Sequence, residues 1–215
     1  MTTIPPQKSC ATTTDATDLL DDAALLRYSR HILLPEIDIE GQTRIRSARV
    51  LVVGAGGLGC PAALYLARAG VGVLTVADGD TVDATNLQRQ ILYTESDIGR
   101  PKAEAAADAL RLANPDVTVT AVPHRLAQHD LDELVAASDV VLDCTDNFAT
   151  RHAINRACVR HCKPLVSGAA IRFDAQLAVF DVRASASPCY HCLFPEGENV
   201  TEVRFATMGV FAPLV

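Results

Sequence analysis

Gly54, Gly56, Gly57 and Gly59 in "VLVVGAGGLGC" spell G-x-G-G-x-G. Without side chains, such a turn lets backbone N–H groups and the N-terminus of a following helix approach a phosphate closely. Asp78 follows Gly59 by 19 positions, at the end of the run "VLTVAD". An acid there can accept hydrogen bonds from a ribose. If the glycines only shaped a tight turn, the order of apolar run, turn, helix-forming run and acid would have no reason. The residues describe a nucleotide site, and by themselves they leave NAD and ATP equally open.

The segments that follow separate the two. "TNLQRQ" supplies Asn86 and Gln90 as polar anchors and Arg89 as a cation, and "GRPKAEAA" supplies Lys102. Hydride transfer needs little cationic charge beyond a grip on the pyrophosphate. A triphosphate that loses pyrophosphate instead builds charge on its α- and β-phosphate oxygens, where Arg and Lys stabilise it. "DCTDN" then brings Asp146, a carboxylate suited to the magnesium that accompanies ATP. Asn147 beside it suits the cap of the next helix as well as a ligand. Any one of these charges alone would read as a solvated surface group. Together, in this order, they favour ATP, and an NAD-dependent oxidoreductase gives them no purpose.

These residues need elements to hold them. Helical spacing covers 21–34, and Ala- and Leu-rich helices are expected at 57–69 and within 99–115, the latter stopping at Asn-Pro. Further helices are expected in "DLDELVAAS" and "FATRHAINRACVRHC". Strands are expected at 50–54, 73–78, 117–122, 139–146, in "PLVSGAA" and at 176–182, before a C-x-x-C loop. Strands alternating with helices imply an α/β fold: a Rossmann-like, doubly wound, mostly parallel sheet covered on both faces, with antiparallel strand toward the C-terminus. Ligands of such sheets sit at the carboxyl ends of strands, where the glycine turn, the Asp78 segment and "DCTDN" all fall.

The chain has 215 residues, 49% hydrophobic and 21% charged, enough for one sizeable core. A net charge of −7 argues against nucleic acid or an anionic membrane as partner. No apolar run reaches the roughly 20 residues that span a bilayer. Residues 1–20 lack the features of a signal peptide and are expected to be a disordered tail ahead of one domain over 21–215, in a cytoplasmic protein. The seven cysteines are odd in number and scattered through apolar segments, which disfavours a disulfide framework. Cys60, Cys144 and Cys158 are expected to be buried small apolar residues.

"RYSRHILLPEIDIEGQ", "VLVVGAGGLGCPAALYLARAGVG", "DGDTVDATNLQRQ", "GRPKAEAA", "VLDCTDNFATRHAIN", "PLVSGAA" and "PCYHCLFPE" together resemble the ThiF/MoeB/HesA family, prokaryotic relatives of ubiquitin-activating enzymes. The resemblance runs from about residue 21 to 215. It implies ATP-dependent adenylation of the C-terminal glycine carboxylate of a small ubiquitin-fold sulfur carrier ending in Gly-Gly. That carrier would be of the molybdopterin-synthase or thiamine type, with the wording nearer the former. Gly54, Gly56, Gly57 and Gly59, with Asp78, Asp80, Asn86 and Gln90, would bind the nucleotide. Arg89 and Lys102 would act on the phosphates, while Asp146, beside Asn147, would hold magnesium. The resemblance also implies a homodimer in which Arg30 reaches the ATP of the other subunit.

Two departures stand out. Cys189 and Cys192 match half of the family's structural zinc site, but no later cysteine follows before Val215. Either the chain is a fragment, which the abrupt apolar end favours, or this member lacks zinc. Where several relatives carry a cysteine used for a covalent link to the carrier, this chain has Phe205, which favours adenylation alone. No nucleophilic role is expected of Cys162 or Cys192. A non-catalytic carrier-binding fragment is the remaining alternative.

Overall fold

β-Branched runs set the frame of the computed structural model, which describes residues 20–184, 186–197 and 209–212. The expected tail and Phe205 lie outside the described residues. The chain divides into two units, residues up to Arg46 and residues from Ser47 onward.

In the first unit the expected single helix is two short ones, α1 (Asp22–Arg27) and α2 (Ser29–Ile32). Asp21 caps α1 by accepting from the Ala24 N–H at 2.8 Å. Leu20, Ala24, Tyr28 and Ile32 share a small apolar cluster. A third helix, α3 (Asp38–Ser47), was not expected from the sequence because its apolar positions are sparse and Gly41 sits inside it. The Nδ1 atom of His31 lies 3.0 Å from the Gln42 carboxamide oxygen, tying α2 to α3.

In the second unit six strands form one sheet: β1 (Arg49–Val53), β2 (Val73–Ala77), β3 (Thr118–Val122), β4 (Val140–Asp143), β5 (Leu165–Ile171) and β6 (Asp174–Phe180). Their order is β3-β2-β1-β4-β5-β6, parallel from β3 through β5, with β6 antiparallel to β5. This is the Rossmann-like, doubly wound arrangement. Val50 pairs with Leu74 on one side and Val140 on the other, so the order reverses at β1 and β4. A crevice at the carboxyl ends of those two strands follows from that reversal.

The helices are α4 (Gly59–Ala69), α5 (Lys102–Ala113), α6 (Gln128–Ala137), α7 (Phe148–Arg160) and a single turn, α8 (Tyr190–Leu193), within the expected C-x-x-C loop. Leu51, Val53 and Val141 pack with Leu131, Val135, Ile154 and Ala157 of α6 and α7. Val50 and Val52, of opposite pleat, face the other way. Buried alanines at 63, 67, 103 and 106 let α4 and α5 sit closely. Gly70 ends α4 at φ 86°, a left-handed cap that glycine takes at no steric cost. The strand expected at 176–182 begins two residues earlier, because the hairpin turns at Arg172–Phe173 without glycine or asparagine to mark it. Arg172 itself has φ 51°.

Candidate nucleotide site

The glycine turn leaves β1 directly at Val53. Gly54 has φ 94°, and a Cβ there would stand 2.7 Å from the Cys144 carbonyl, so the turn abuts the loop after β4. A Cβ on Gly59 would stand 1.8 Å from the Gly54 carbonyl oxygen. A Cβ on Gly56 would meet nothing nearer than the Gln90 side-chain nitrogen, at 3.8 Å. Gly54, Gly56 and Gly57 line a cavity of about 780 Å³, whereas Gly59 does not. The fourth glycine, expected at the phosphate, instead makes room inside the turn.

Asp78 leaves the neighbouring strand β2 beside the glycine turn. Its two carboxylate oxygens accept from the N–H groups of Ala55 and Asp80, each at 2.8 Å. Burial pushes its carboxyl above the ordinary value, outweighing those hydrogen bonds and the nearby Lys102. Lys102 opens α5 with its ammonium almost buried, 3.3 Å from one Asp80 oxygen. The other Asp80 oxygen lies 3.6 Å from the exposed Arg125 guanidinium. Arg125 follows β3 and comes so close to Gly79 that a Cβ there would meet its Cγ at 2.6 Å.

Arg89 lines the same cavity and donates to the Thr85 carbonyl at 3.1 Å. Asn86 lines it too, but its side-chain oxygen accepts from the Asp83 N–H and closes a capping box. Gln90 is 3% exposed, and its side-chain oxygen has no partner among the described residues. After β4, Asn147 accepts from the Thr150 N–H at 2.9 Å and so caps α7. Asp146 next to it is exposed, with no hydrogen bond or ion pair among the described residues.

Beneath Asp146 lies a polar knot. Asp143 is fully buried and accepts from the Thr145 hydroxyl (2.6 Å), the Thr145 N–H (3.1 Å) and the Ser167 hydroxyl (2.8 Å). Arg151 approaches it at 3.5 Å and also donates to the Ser167 hydroxyl and the Thr145 carbonyl. The loop carrying Asp146 is therefore held from strand and helix at once.

The cavity brings together nearly every residue the sequence pointed to, namely three glycines, Asp78, Asp80, Asn86, Arg89, Gln90, Lys102, Asp146 and Asn147. Arg30 lies in α2 of the first unit. Sequence reading missed Arg125, although its position just after β3 is also a strand's carboxyl end. It also missed Arg151 and Ser167, for which helix and strand patterns give no sign. Cys60 and Cys158 are buried as expected, but Cys144 is only half-buried, because it sits on the cavity wall. Burial pushes the Cys60 thiol up to about 11 and Cys144 up to about 12, so both are protonated at neutral pH.

Among the described residues the cavity fits a magnesium nucleotide: open space over Gly56, an unpartnered buried Gln90 oxygen, the three cations Arg89, Lys102 and Arg125, and an unengaged Asp146 carboxylate. The Cys189–Cys192 pair has the spacing that two ligands of one zinc ion would need. The Cys189 and Cys192 sulfurs are 3.7 Å apart, against roughly 3.8 Å for neighbouring ligands of tetrahedral zinc at about 2.3 Å. Although burial opposes it, hydrogen bonds from Asn155 and around the Cys192 turn bring the Cys189 thiol below its ordinary value. Among the described residues, no set of three or more His, Cys, Asp or Glu is grouped to hold a metal.

The sequence profile of the ThiF family matches residues 28–215. The chain belongs to the ThiF family. Over 197 residues this ThiF-family chain is 49% identical to the molybdopterin-synthase adenylyltransferase of Salmonella typhimurium, which spans 91% of this chain and 78% of that protein. It is 47% identical to the sulfur carrier protein ThiS adenylyltransferase of Escherichia coli, over 91% of this chain and 77% of that one. These relatives are named adenylyltransferases, and the chain is an enzyme of that class. Its fold superposes with a TM-score of 0.74 on E. coli MccB solved with ATP, at 25% identity, covering 87% of this chain and 58% of that one. The chain thus spans about three quarters of these curated relatives' length.

Proposed function

We propose that this ThiF-family chain adenylates the C-terminal glycine carboxylate of a small ubiquitin-fold sulfur carrier ending in Gly-Gly, with release of pyrophosphate. The reading rests on one observation: Arg89, Lys102, Asp78 and the unengaged Asp146 line a single cavity against the glycine turn. The names of the relatives support the class of acceptor. The molybdopterin-synthase small subunit and the thiamine carrier are the two acceptors the resemblance favours.

In the reaction, a carrier carboxylate oxygen forms a bond to the α-phosphorus of ATP. The bond from that phosphorus to the bridging oxygen breaks, and the electron pair leaves with pyrophosphate. The carboxylate is already ionised at neutral pH, so no general base is needed. Catalysis therefore rests on alignment and on charge neutralisation. Asp78 would accept from the ribose, and the Gly56 and Gly57 backbone would lie against phosphate. Lys102 would exchange Asp80 for phosphate oxygen, and Arg89 would swing from the Thr85 carbonyl to do the same. Asp146 would hold magnesium, which when bound neutralises phosphate charge. In a homodimer, Arg30 of one copy would add a cation to the site of the other. Cys189 and Cys192 would supply two thiolates to zinc. No helix among the described residues is long and apolar enough to cross a membrane, which fits a cytoplasmic setting.

The test is exchange of radiolabelled pyrophosphate into ATP, measured with a panel of Gly-Gly-ended carriers. Arg89→Ala and Lys102→Ala should each abolish carrier-dependent exchange. Undiminished exchange in either variant removes that residue from the mechanism, and no exchange with any carrier removes the reading.

A further inference from the structure

The site has a buried hydroxyl that the mechanism above does not use. Tyr93 is 6% exposed and lies three residues beyond Gln90, on the segment that carries Asn86 and Arg89. Its hydroxyl donates to the Ala55 carbonyl at 2.7 Å, inside the glycine turn. The carbonyl of Lys102 lies 3.3 Å from the same oxygen, as a longer second acceptor. The Ala55 peptide is held from its other side as well, since its N–H donates to Asp78 at 2.8 Å. The Cys60 thiol adds a weaker contact to the Ala55 carbonyl at 3.3 Å.

Three separately built pieces thus meet at one oxygen atom: the phosphate-facing turn after β1, the Arg89 segment, and the first residue of α5. The Lys102 N–H also donates to the Asp80 carbonyl at 2.9 Å, which ties α5 to the Asp78 segment, and the Tyr93 hydroxyl adds the bonds that join the Arg89 segment to both turn and helix. The Tyr93 backbone N–H is itself bonded to the Gln90 carbonyl at 3.2 Å, so the ring is short-coupled to the Asn86–Gln90 turn. Burial holds the phenol far above its ordinary value, which keeps it a donor across the working pH range.

We infer that Tyr93 is a positioning residue for adenylation: its hydroxyl sets the spacing between the glycine turn and the two cations, Arg89 and Lys102. This rests on the adenylation reading. Ground-state binding of ATP is spread over many contacts, whereas in-line displacement requires the cations and the turn to agree to a fraction of an ångström. Loss of the hydroxyl should therefore act on turnover more than on affinity. An ångström-scale slip costs up to about 100-fold, and a turn still held by Asp78 and Cys60 should slip less, giving about tenfold.

The experiment compares wild type with Tyr93→Phe in carrier-dependent pyrophosphate exchange, with ATP affinity measured in parallel and activity read well below the melting temperature of each. The expected result is kcat lowered about tenfold with ATP KM and Kd changed less than about threefold. If wild type exchanges and Tyr93→Phe matches its kcat, the Tyr93 role is overturned while the adenylation reading stands. A fall in kcat that follows only the unfolded fraction overturns it too. If wild type shows no exchange, the adenylation reading fails and takes this inference with it. Should the Phe variant not fold, 4-fluorophenylalanine placed at 93 fills the place of the hydroxyl without donating a hydrogen bond, and an unchanged kcat then overturns the inference.

Discussion

Arg151→Met isolates the knot beneath Asp146. Asp143 is fully buried, and its cation partner Arg151 is itself almost buried. Methionine fills much of the space of the arginine stem but leaves the carboxylate without its positive partner. Breaking a buried pair on one side typically costs about 3–5 kcal/mol. Here Asp143 keeps three hydrogen bonds from Thr145 and Ser167, which places the expected loss near the lower end, about 3 kcal/mol. For a unit of this size, that lowers the melting temperature by about 6–12 °C. In urea, the midpoint should fall with the slope unchanged. Adding Asp143→Asn removes the uncompensated charge and should restore about half of the loss. Exchange activity should drop as well, because the Thr145 carbonyl loses its Arg151 donor and the Asp146 loop is freed at one end. A single variant within about 1 kcal/mol of wild type, or a double variant no better than the single, would refute the view that this ion pair holds the loop.

The glycines separate by role. Gly59→Ala should destabilise by about 3 kcal/mol or more in a denaturant titration, since its methyl would fall 1.8 Å from the Gly54 oxygen. Gly56→Ala should leave stability within about 0.5 kcal/mol. Its methyl would nonetheless occupy the phosphate-facing space and weaken ATP binding at least about tenfold by calorimetry. A Gly56→Ala protein that binds ATP normally would place the phosphates elsewhere. ATP affinity should also fall with acid, because only the ionised Asp78 can accept from two ribose hydroxyls. Burial raises that carboxyl above the ordinary 3.8, so the accepting form is lost at higher pH than for an exposed aspartate. The excess loss of affinity relative to Asp78→Asn, followed from about pH 7 downward, reads this group alone.

Much of the fold can be read along the chain because its signals are local. Turn glycines, the alternation of β-branched and helix-forming runs, and the stop at Asn114-Pro115 each act over a few residues. They were enough to place β1 to β5, to put the glycine turn and "DCTDN" at strand ends, and to gather Arg89, Lys102 and Asp146 toward one edge of the sheet. Where the local signal was weak, the reading faltered. The break at Tyr28, α3 with its glycine, and a hairpin turning on Arg172 carry no strong mark of their own.

Tertiary structure alone decided how these groups act on one another. G-x-G-G-x-G does not say that Gly56 faces open space while Gly59 clears a carbonyl, since that depends on the path of the turn against the loop after β4. The meeting of Tyr93 with Ala55, and of Asp143 with Arg151 and Ser167, joins residues from different strands, loops and helices. Arg125 reaches Asp80 because Gly79 lets the β3 loop close in. Such contacts are fixed by packing across the sheet, at distances in space unrelated to separation along the chain. No periodicity of residue types can encode them.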